Sequence, residues 1–285
     1  MARTYNDLYL DTRHRLRKAG IESAQLEARE LLCYATGKSR EDFFRDSILY
    51  APRPVEQQLE ELLSRRLDGE PVAYIIGEWN FYGMTLDIDH TVLIPRPDTE
   101  IIAARAIELA KMAGEHCRVL DLCAGSGCIG LAVAQHAENC RVVLADLSED
   151  AIQICRDNTR RNNLQNRVSC VQVDARENPP DLLWDFNLIV CNPPYIRSSD
   201  ISSLDASVRN YEPILALDGG LDGLDFYHSI SKNWKSALRR TGTILFEVGY
   251  DQAEDVSAIL SENGYHNISH HQDYNGILRG IEATL

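Results

Sequence analysis

The sequence predicts an α/β protein in which a small all-helical domain and a β-hairpin precede a doubly wound parallel sheet. Three patterns carry this prediction. The first 70 residues show helical periodicity without a β-rich run, an alternating segment follows, and helices and short apolar strands then alternate from Pro97 onward. A chain of 285 residues is long enough for about two domains. We expect a helical domain over residues 1–75, a hairpin linker over 76–96 and an α/β domain over 97–285.

The segment between the two domains has the period of β-strands. EWNFYGMTLDID contains aromatic residues and then alternates the apolar Met84, Leu86 and Ile88 with polar residues. Upstream, VEQQLEELLSRRL at 55–67 is a long helical pattern that stops before Asp68-Gly69. A helical domain joined to the next domain by a hairpin is therefore predicted.

From Pro97 onward helical and strand patterns alternate, beginning with a helix over PDTEIIAARAIELAKMAG. Such alternation predicts a parallel sheet with right-handed crossovers and helices on both faces. The final stretch breaks the rhythm and predicts an antiparallel pair that turns at Tyr274-Asn275-Gly276. The predicted strands are 118–123, 141–146, 168–174, 186–194 and 243–249, and the helices between them are GCIGLAVAQHA, SEDAIQICRDNTRRNN and DFYHSISKNWKSALRR.

Composition and charge disfavour several functional classes. The formal net charge is −14, so long-range electrostatics oppose non-specific binding to nucleic acid and to acidic membranes. No apolar run approaches the roughly 18 residues of a membrane span, and no signal-peptide pattern opens the sequence, which predicts a cytoplasmic protein. The eight cysteines form no C-x-x-C pair, so we expect no metal site.

A glycine-rich turn follows the first predicted strand of the α/β domain. Ligands of a doubly wound sheet bind beyond the carboxyl ends of its strands, and absent side chains let a ligand approach the backbone and helix N–H groups. The candidate cofactor-binding residues of this turn are Asp121, Cys123, Ala124, Gly125, Ser126 and Gly127.

The turn suits two classes of cofactor. GSGCIG satisfies the G-x-G-x-x-G pattern of dinucleotide enzymes, and Asp146 follows Gly125 by 21 residues, about where a ribose-binding acid belongs. An NAD-binding oxidoreductase is therefore one alternative. Asp121, however, stands four residues before Gly125, and a carboxylate there suits a ligand with a cationic amino-acid end better than a pyrophosphate. That favours S-adenosylmethionine.

Two further acids stand at the ends of the next strands. Asp146 ends the second strand, and its two oxygens could accept both ribose hydroxyls of the cofactor. Asp174 ends the third strand, close to where adenine would lie. A strand-end carboxylate also commonly caps the following helix, so both acids have a purely structural interpretation as well.

The most specific motif is Asn192-Pro193-Pro194-Tyr195, directly after the apolar strand FNLIVC. Two prolines fix the chain and lack N–H groups, which leaves carbonyl oxygens free to accept from a ligand. The side-chain oxygen of Asn192 and the carbonyl of Pro193 can each accept one N–H of a planar NH₂ group, and Tyr195 can stack on that group. We predict a catalytic and substrate-binding clamp for an amide or an exocyclic amine.

Together the motifs resemble those of the protein-(glutamine-N5) methyltransferases that modify peptide chain release factors. The resemblance extends from about residue 70 to the end of the chain. It implies a seven-stranded class I methyltransferase domain, S-adenosylmethionine as donor and the glutamine of a release-factor Gly-Gly-Gln motif as acceptor. The segments that carry it are LIPRPDTE at 93–100, DLCAGSG at 121–127, NPPY at 192–195 and YEPILALDGGLDGLDFY at 211–227.

The same resemblance implies roles for individual residues. Cys123 to Gly127 would hold the methionine end of the donor, Asp146 its ribose, and Asn192 would contact both donor and substrate. Pro193, Pro194 and Tyr195 would complete the glutamine clamp, and the helical domain would recognise the release factor. NPPY also occurs in N-methyltransferases of DNA and RNA, which the charge opposes. A protein that binds the donor without catalysis is a further alternative.

Overall fold

The computed structural model describes residues 2–285, which form two compact units. The first unit runs to Glu78 and includes Ala206–Tyr211, and the second comprises Trp79–Asp205 and Glu212–Leu285. No helix within residues 2–285 has both the length and the apolar character that crossing a bilayer requires.

The secondary structure alternates as follows. The helices are α1 Tyr5–Lys18, α2 Ala24–Thr36, α3 Arg40–Asp46, α4 Arg53–Leu67, α5 Val72–Ile76, α6 Thr99–Met112, α7 Cys128–His136, α8 Glu149–Arg161, α9 Ala206–Arg209, α10 Asp225–Asn233 and α11 Ala253–Glu262. The strands are β1 Glu78–Phe81, β2 Met84–Asp87, β3 Cys117–Leu122, β4 Cys140–Asp146, β5 Val168–Gln172, β6 Phe186–Cys191, β7 Leu238–Glu247, β8 His266–Gln272 and β9 Leu278–Thr284.

The first unit is helical, as predicted from its periodicity. A capping box between Thr4 and Asp7 satisfies backbone N–H groups at the start of α1, and Gly37 takes the left-handed conformation that ends α2. Leu16 of α1 and Leu63 of α4 are buried together in the core of this unit. The prediction of an all-helical start is confirmed.

The predicted hairpin is formed by β1 and β2. Its two turn residues, Tyr82 and Gly83, have φ of 47° and 78°, the backbone twist that two-residue hairpin turns favour. Met84, Leu86 and Ile88 are buried, as their alternation with polar residues predicts. The hairpin prediction is therefore confirmed.

The second unit contains a seven-stranded sheet in the order β5-β4-β3-β6-β7-β9-β8. Strands β3 to β7 run parallel, and β9 pairs antiparallel with both β7 and β8. The α/β fold class and the terminal antiparallel pair are confirmed. The chain builds outward from β3 through β4 to β5 and then returns to β6, so the strand order reverses between β3 and β6, where ligands of such sheets bind.

One predicted helix is shorter than its pattern suggested. The helix expected to reach Arg240 ends at Asn233, and a single 3₁₀ turn leads into β7, which starts at Leu238 and not at 243. Trp234 is completely buried and its indole N–H donates to the carbonyl of Ala175 (2.9 Å). That tertiary contact draws the chain into the core and overrides the helical propensity of the segment.

Four predicted strands also end early. The strands expected to reach 123, 174, 194 and 249 end at Leu122, Gln172, Cys191 and Glu247. Cys123 has a φ of 61°, which no strand residue adopts, and the two prolines after Asn192 lack the N–H that a ladder needs. The candidate site residues at these positions therefore lie in loops beyond the sheet.

Candidate functional site

A cavity of about 380 Å³ opens at the carboxyl ends of β3, β4 and β6. Its size lies in the range of small-molecule sites. The sequence-predicted residues that line it are Asp121, Cys123, Ala124, Gly125, Ser126, Asp146, Asp174, Asn192 and Pro194. Gly127, Pro193 and Tyr195 belong to the same loops but are not among the lining residues.

The turn after β3 presents its backbone to this cavity. The N–H of Ala124 donates to the carbonyl of Ala145 (3.0 Å), which connects the turn to the end of β4. Gly125 has a φ of 55°, and a Cβ built on it would meet no atom within 4 Å. A side chain at Gly125 would therefore stand in open space that a ligand can occupy.

Cys123 opens the turn in a left-handed conformation with a φ of 61°. This conformation costs an L-residue roughly 1–2 kcal/mol, whereas glycine adopts it freely. The Cys123 thiol faces that of Cys191, and burial together with this contact raises the pKa of Cys191. The backbone of Cys123 is therefore strained at the edge of the cavity.

Two other glycines of the GSGCIG segment let α7 pack closely on the sheet. A Cβ on Gly127 would come within 2.8 Å of Cδ1 of Leu144, and one on Gly130 would overlap Cδ2 of the same leucine. The Gly130 Cβ would also lie 2.9 Å from the Cβ of Asp121. Gly127 therefore has a packing role, and its contact with a cofactor stays a prediction.

Asp121 is a buried carboxyl at the end of β3. Its Oδ2 accepts from the backbone N–H of Gly130 (2.7 Å), and its other oxygen accepts no hydrogen bond within residues 2–285. Burial raises the pKa of Asp121 to about 7, and the Gly130 hydrogen bond acts in the opposite direction. A carboxyl with so little compensation, facing a cavity, is suited to bind a cation.

Asp146 connects β4 to the glycine turn. Its Oδ2 accepts from the N–H of Gly125 (2.8 Å), and its Oδ1 accepts from the N–H of Ser148 (2.9 Å). Burial raises the pKa of Asp146 and these backbone hydrogen bonds oppose the rise. Each carboxylate oxygen can accept a second hydrogen bond, so Asp146 has both a structural contact and acceptor capacity left for a ligand.

Asp174 already has a partner two residues along the chain. The Arg176 guanidinium donates to both oxygens, from Nε (3.1 Å) and Nη2 (2.9 Å), and lowers the pKa of Asp174. The same guanidinium lies over the ring of Phe226, 5.6 Å from its centroid. Asp174 lines the cavity with much of its acceptor capacity in use, so its contact with adenine stays a prediction.

Segments distant in sequence hold the turn after β6 in place. The Gln252 side chain donates to the carbonyl oxygens of Tyr195 (3.0 Å) and Gly223 (3.2 Å). Gly219 approaches so closely that a Cβ on it would lie 2.8 Å from the carbonyl oxygen of Pro194. The LDGGLDGL segment thus supports the turn, a role that sequence reasoning did not identify.

Tyr195 packs against the hydrophobic core of the second unit, and burial raises the pKa of its hydroxyl. Pro193 is buried as well. The substrate contacts predicted for these two residues stay predictions, whereas Asn192 and Pro194 line the cavity itself.

A buried carboxyl that sequence reasoning missed lies beside Asn192. Glu247, the last residue of β7, is 3% exposed, and its Oε2 has no hydrogen-bond partner within residues 2–285. Burial raises the pKa of Glu247 to about 7, while Thr99 and Asn192, which face the carboxyl, act in the opposite direction. Its position at the carboxyl end of an apolar strand was the available signal.

Two motifs that the sequence left without a role form the outer wall of the cavity. Leu93, Pro95 and Thr99 come from LIPRPDTE, and Pro213, Leu215 and Ala216 come from the segment that begins YEPILA. An ion pair between Arg96 and the buried Glu212 joins the two segments, and Asp98 pairs with Arg279 (3.1 Å). These two ion pairs connect the LIPRPDTE segment to parts of the chain that are distant in sequence.

The cavity offers hydrogen-bond acceptors at three strand ends. Asp121, Asp146 and Asn192 supply these acceptors, and apolar side chains make up much of the remaining lining. A ligand with a positive charge, hydroxyl donors and an apolar ring matches this set. S-Adenosylmethionine has all three, so the residues present fit the predicted cofactor.

Two family models match the chain. The model described as "PrmC N-terminal domain" matches residues 7–77, and the one described as "Methyltransferase small domain" matches residues 103–213. The first match lies within the helical unit, and the second contains the glycine turn and the NPPY turn.

Two relatives are similar over most of the chain. The release factor glutamine methyltransferase of Clostridium botulinum is 35% identical over 277 residues, which cover 97% of this chain and 98% of that protein. The release factor glutamine methyltransferase of Clostridium acetobutylicum is 38% identical over 228 residues, which cover 80% of each chain. Among solved structures, the hMettl16 catalytic domain in complex with a MAT2A 3'UTR hairpin is similar with a TM-score of 0.59. That likeness covers 88% of this chain and 91% of that chain at 15% identity, and concerns the fold alone.

Proposed function

This chain belongs to the release factor glutamine methyltransferase family, and on that premise we propose which reaction its cavity performs. The side-chain amide nitrogen of the glutamine in the Gly-Gly-Gln motif of a release factor gains a methyl group and releases one proton to solvent, and the donor becomes S-adenosylhomocysteine. The observation that carries the proposal is that the glycine turn and the NPPY turn open into one cavity. S-Adenosylmethionine, when bound, supplies the electrophilic methyl group.

Residues of the glycine turn and the neighbouring strand ends bind the donor. Asp121 pairs with the cationic amino-acid end, and its free oxygen and its burial support that role. Asp146 accepts from the ribose hydroxyls with the lone pairs that Gly125 and Ser148 leave available. The backbone from Cys123 to Gly127 forms the floor under the methionine end.

The NPPY turn binds the acceptor. An amide nitrogen is a poor nucleophile because its lone pair is delocalised, so its position must be fixed before reaction. Asn192 Oδ1 and the carbonyl of Pro193 accept its two N–H groups and direct the nitrogen toward the donor. Near-attack alignment of this kind contributes roughly 7–11 kcal/mol to catalysis. The rigid support of the turn by Gln252 and Gly219 serves that alignment.

Glu247 acts as a positioning residue for Asn192. The side chain of an asparagine presents an NH₂ donor and an oxygen acceptor, and a carboxyl beside it attracts the donor side. With its NH₂ group toward Glu247, Asn192 presents its oxygen to the substrate amide. The unpartnered Oε2 of Glu247 and its burial support this role.

The helical unit recognises the folded release factor. Phe44, Ile48 and Tyr50 expose 64%, 79% and 70% of their surface, and clustered apolar exposure of this kind is typical of protein interaction sites. The net charge of −14 disfavours a nucleic acid as the acceptor. Because release factors act in translation, the reaction takes place in the cytoplasm.

A parallel-acceptor experiment tests this function. The protein is incubated with labelled S-adenosylmethionine and, separately, with release factor, tRNA, rRNA and DNA. We expect label in the release factor alone, on one glutamine located by peptide mass. Ile48→Ser should raise KM for the intact release factor and leave the reaction with a Gly-Gly-Gln peptide unchanged. Label in a nucleic acid, or on another side chain, contradicts the proposal.

A further inference from the structure

A second cavity, of about 520 Å³, lies at the amino ends of the parallel strands, the edge of the sheet opposite the site described above. Four arginines line it: Arg118, Arg141, Arg167 and Arg239. We call this the basic cavity. Its only lining carboxylates are Glu115 and Glu138, both exposed. A concentration of positive charge is unexpected in a chain with a net charge of −14.

The fold holds these like charges together. Arg118 of β3 and Arg141 of β4 are direct partners in the parallel register, and like charges at directly opposed positions destabilise a sheet. Arg167 is the residue before β5. It lies beside the other two because its backbone carbonyl accepts a hydrogen bond from the N–H of Val142 in β4 (2.9 Å). Three arginines therefore lie side by side at the amino ends of the adjacent strands β3, β4 and β5.

Three of the four arginines have no carboxylate within ion-pair distance among residues 2–285, although the charge of Arg118 still acts on nearby Asp185. Arg239 is bound on both nitrogens by Asp185 (2.8 Å each), but Arg118, Arg141 and Arg167 form no ion pair with any carboxylate of residues 2–285. The Nε of Arg118 is buried and donates to no acceptor among the same residues. The chain contains 43 acidic residues that could have supplied carboxylate partners at these positions. Arg118 lies over the ring of Phe186 (5.1 Å from its centroid) and Arg167 donates to the carbonyl of Ala137 (3.3 Å), and neither contact neutralises the positive charge. Buried polar groups are normally satisfied, so the Nε of Arg118 indicates a missing acceptor.

We propose that the basic cavity binds the oligophosphate group of a small molecule. Guanidinium groups match phosphate oxygens in planar, paired hydrogen bonds, and three arginines without an ion-pair partner around one cavity favour an anion that carries several charges. The volume of about 520 Å³ accommodates a ligand of nucleotide size. The cavity and the cofactor site are separate, since they lie at opposite ends of β3 and β4.

Calorimetric titration tests the proposal on the full chain at constant ionic strength, with pyrophosphate, adenosine triphosphate and sulfate as separate probes. We expect one saturable site for pyrophosphate, unaffected by saturating S-adenosylhomocysteine, and little heat from sulfate. Binding of pyrophosphate alone assigns the free anion as the source, and tighter binding of the triphosphate assigns a nucleotide. Either result supports the site.

Arg141→Glu separates binding from folding. It should weaken pyrophosphate binding at least about tenfold, the factor for losing one charge-assisted hydrogen bond. It should also raise the melting temperature, because a carboxylate opposite Arg118 replaces a like charge. Arg240→Glu makes the same charge change at an exposed arginine that does not line the cavity and should alter affinity less than about twofold.

Four results overturn the proposal. They are the absence of saturable pyrophosphate binding, equal weakening by both variants, loss of pyrophosphate binding on addition of S-adenosylhomocysteine, and binding of an RNA oligonucleotide where pyrophosphate does not bind. The last result assigns the arginines to a macromolecular surface instead.

Discussion

The carboxylate of Asp146 accepts a hydrogen bond of 2.8 Å from the backbone N–H of Gly125, which directly connects the end of β4 to the glycine turn after β3. The residue proposed to bind the ribose of the donor therefore also holds the loop proposed to bind its methionine end. Changes at Asp146 are expected to affect both contacts together.

Asp146→Asn tests this connection. An amide has one acceptor oxygen for the two N–H groups of Gly125 and Ser148, so one of them loses its partner at a cost of about 1–3 kcal/mol. We expect that loss in urea unfolding and at least a tenfold weaker affinity for S-adenosylhomocysteine in calorimetry. Ser39→Ala removes the N-cap of α3, outside the cavity, and is the control, with about 1 kcal/mol lost and affinity kept. Equal loss of affinity in both variants would contradict a direct role for Asp146.

Two glycines of the same segment should respond oppositely to alanine. Gly125→Ala projects a methyl into open space at the cavity, so binding of S-adenosylhomocysteine should fall by about tenfold or more while stability falls only by roughly 1–2 kcal/mol, the cost of its positive φ. Gly130→Ala overlaps Leu144 and crowds Asp121, which should cost at least about 1–3 kcal/mol of stability. Thermal melts with and without ligand distinguish them. A Gly125→Ala protein with normal affinity would place the ligand elsewhere.

Donor affinity should increase with pH. Burial raises the pKa of Asp121 to about 7, so below that pH the carboxyl must lose a proton before it can pair with a cationic ligand end. Affinity for S-adenosylhomocysteine should therefore rise several-fold between about pH 6 and about pH 7.5. Asp121→Asn should bind more weakly and show no such rise. The same pH profile in wild type and variant would remove Asp121 from the binding site.

Stability should decrease with pH through Glu247. Its pKa is about 7 in the folded protein against an ordinary value of 4.5, so between these values the folded state binds the extra proton. The free energy of unfolding then falls by about 3 kcal/mol as pH rises across that window. Glu247→Gln removes this contribution, so it should match wild type near pH 5 and exceed it near pH 8 in urea unfolding. A pH-independent difference between the two proteins would contradict the ionisation of a buried carboxyl.

The candidate site residues at strand ends could be predicted from the sequence, because the topology alone brings strand ends together. Asp121 and Asp146 lie at the carboxyl ends of β3 and β4, Asn192 directly follows β6, and all three line one cavity. The alternation of strand and helix was sufficient to infer their proximity, since parallel strands end at a common edge.

Contacts between segments that are distant in the sequence could not be predicted from it. Nothing in the sequence near Gln252 or Gly219 indicates that they support the NPPY turn, because that contact depends on tertiary packing. Glu247 was missed because the pattern TILFEVG predicts a strand that continues to 249, which places this residue inside the strand and not at its end. The pairing of Asp174 with Arg176 was missed because the sequence does not show whether the Asp174 carboxylate binds a neighbouring arginine or a ligand.

The single-turnover rate of Asn192→Ala with intact release factor tests the central claim most directly. Loss of one of two oriented acceptors should reduce this rate by about 10²–10³, equivalent to roughly 2.7–4 kcal/mol, in a protein that remains folded at the assay temperature. Gln165→Ala, at an exposed position outside the cavity, should retain the wild-type rate. A near-normal rate for Asn192→Ala in a folded protein would show that the NPPY turn does not position the glutamine amide.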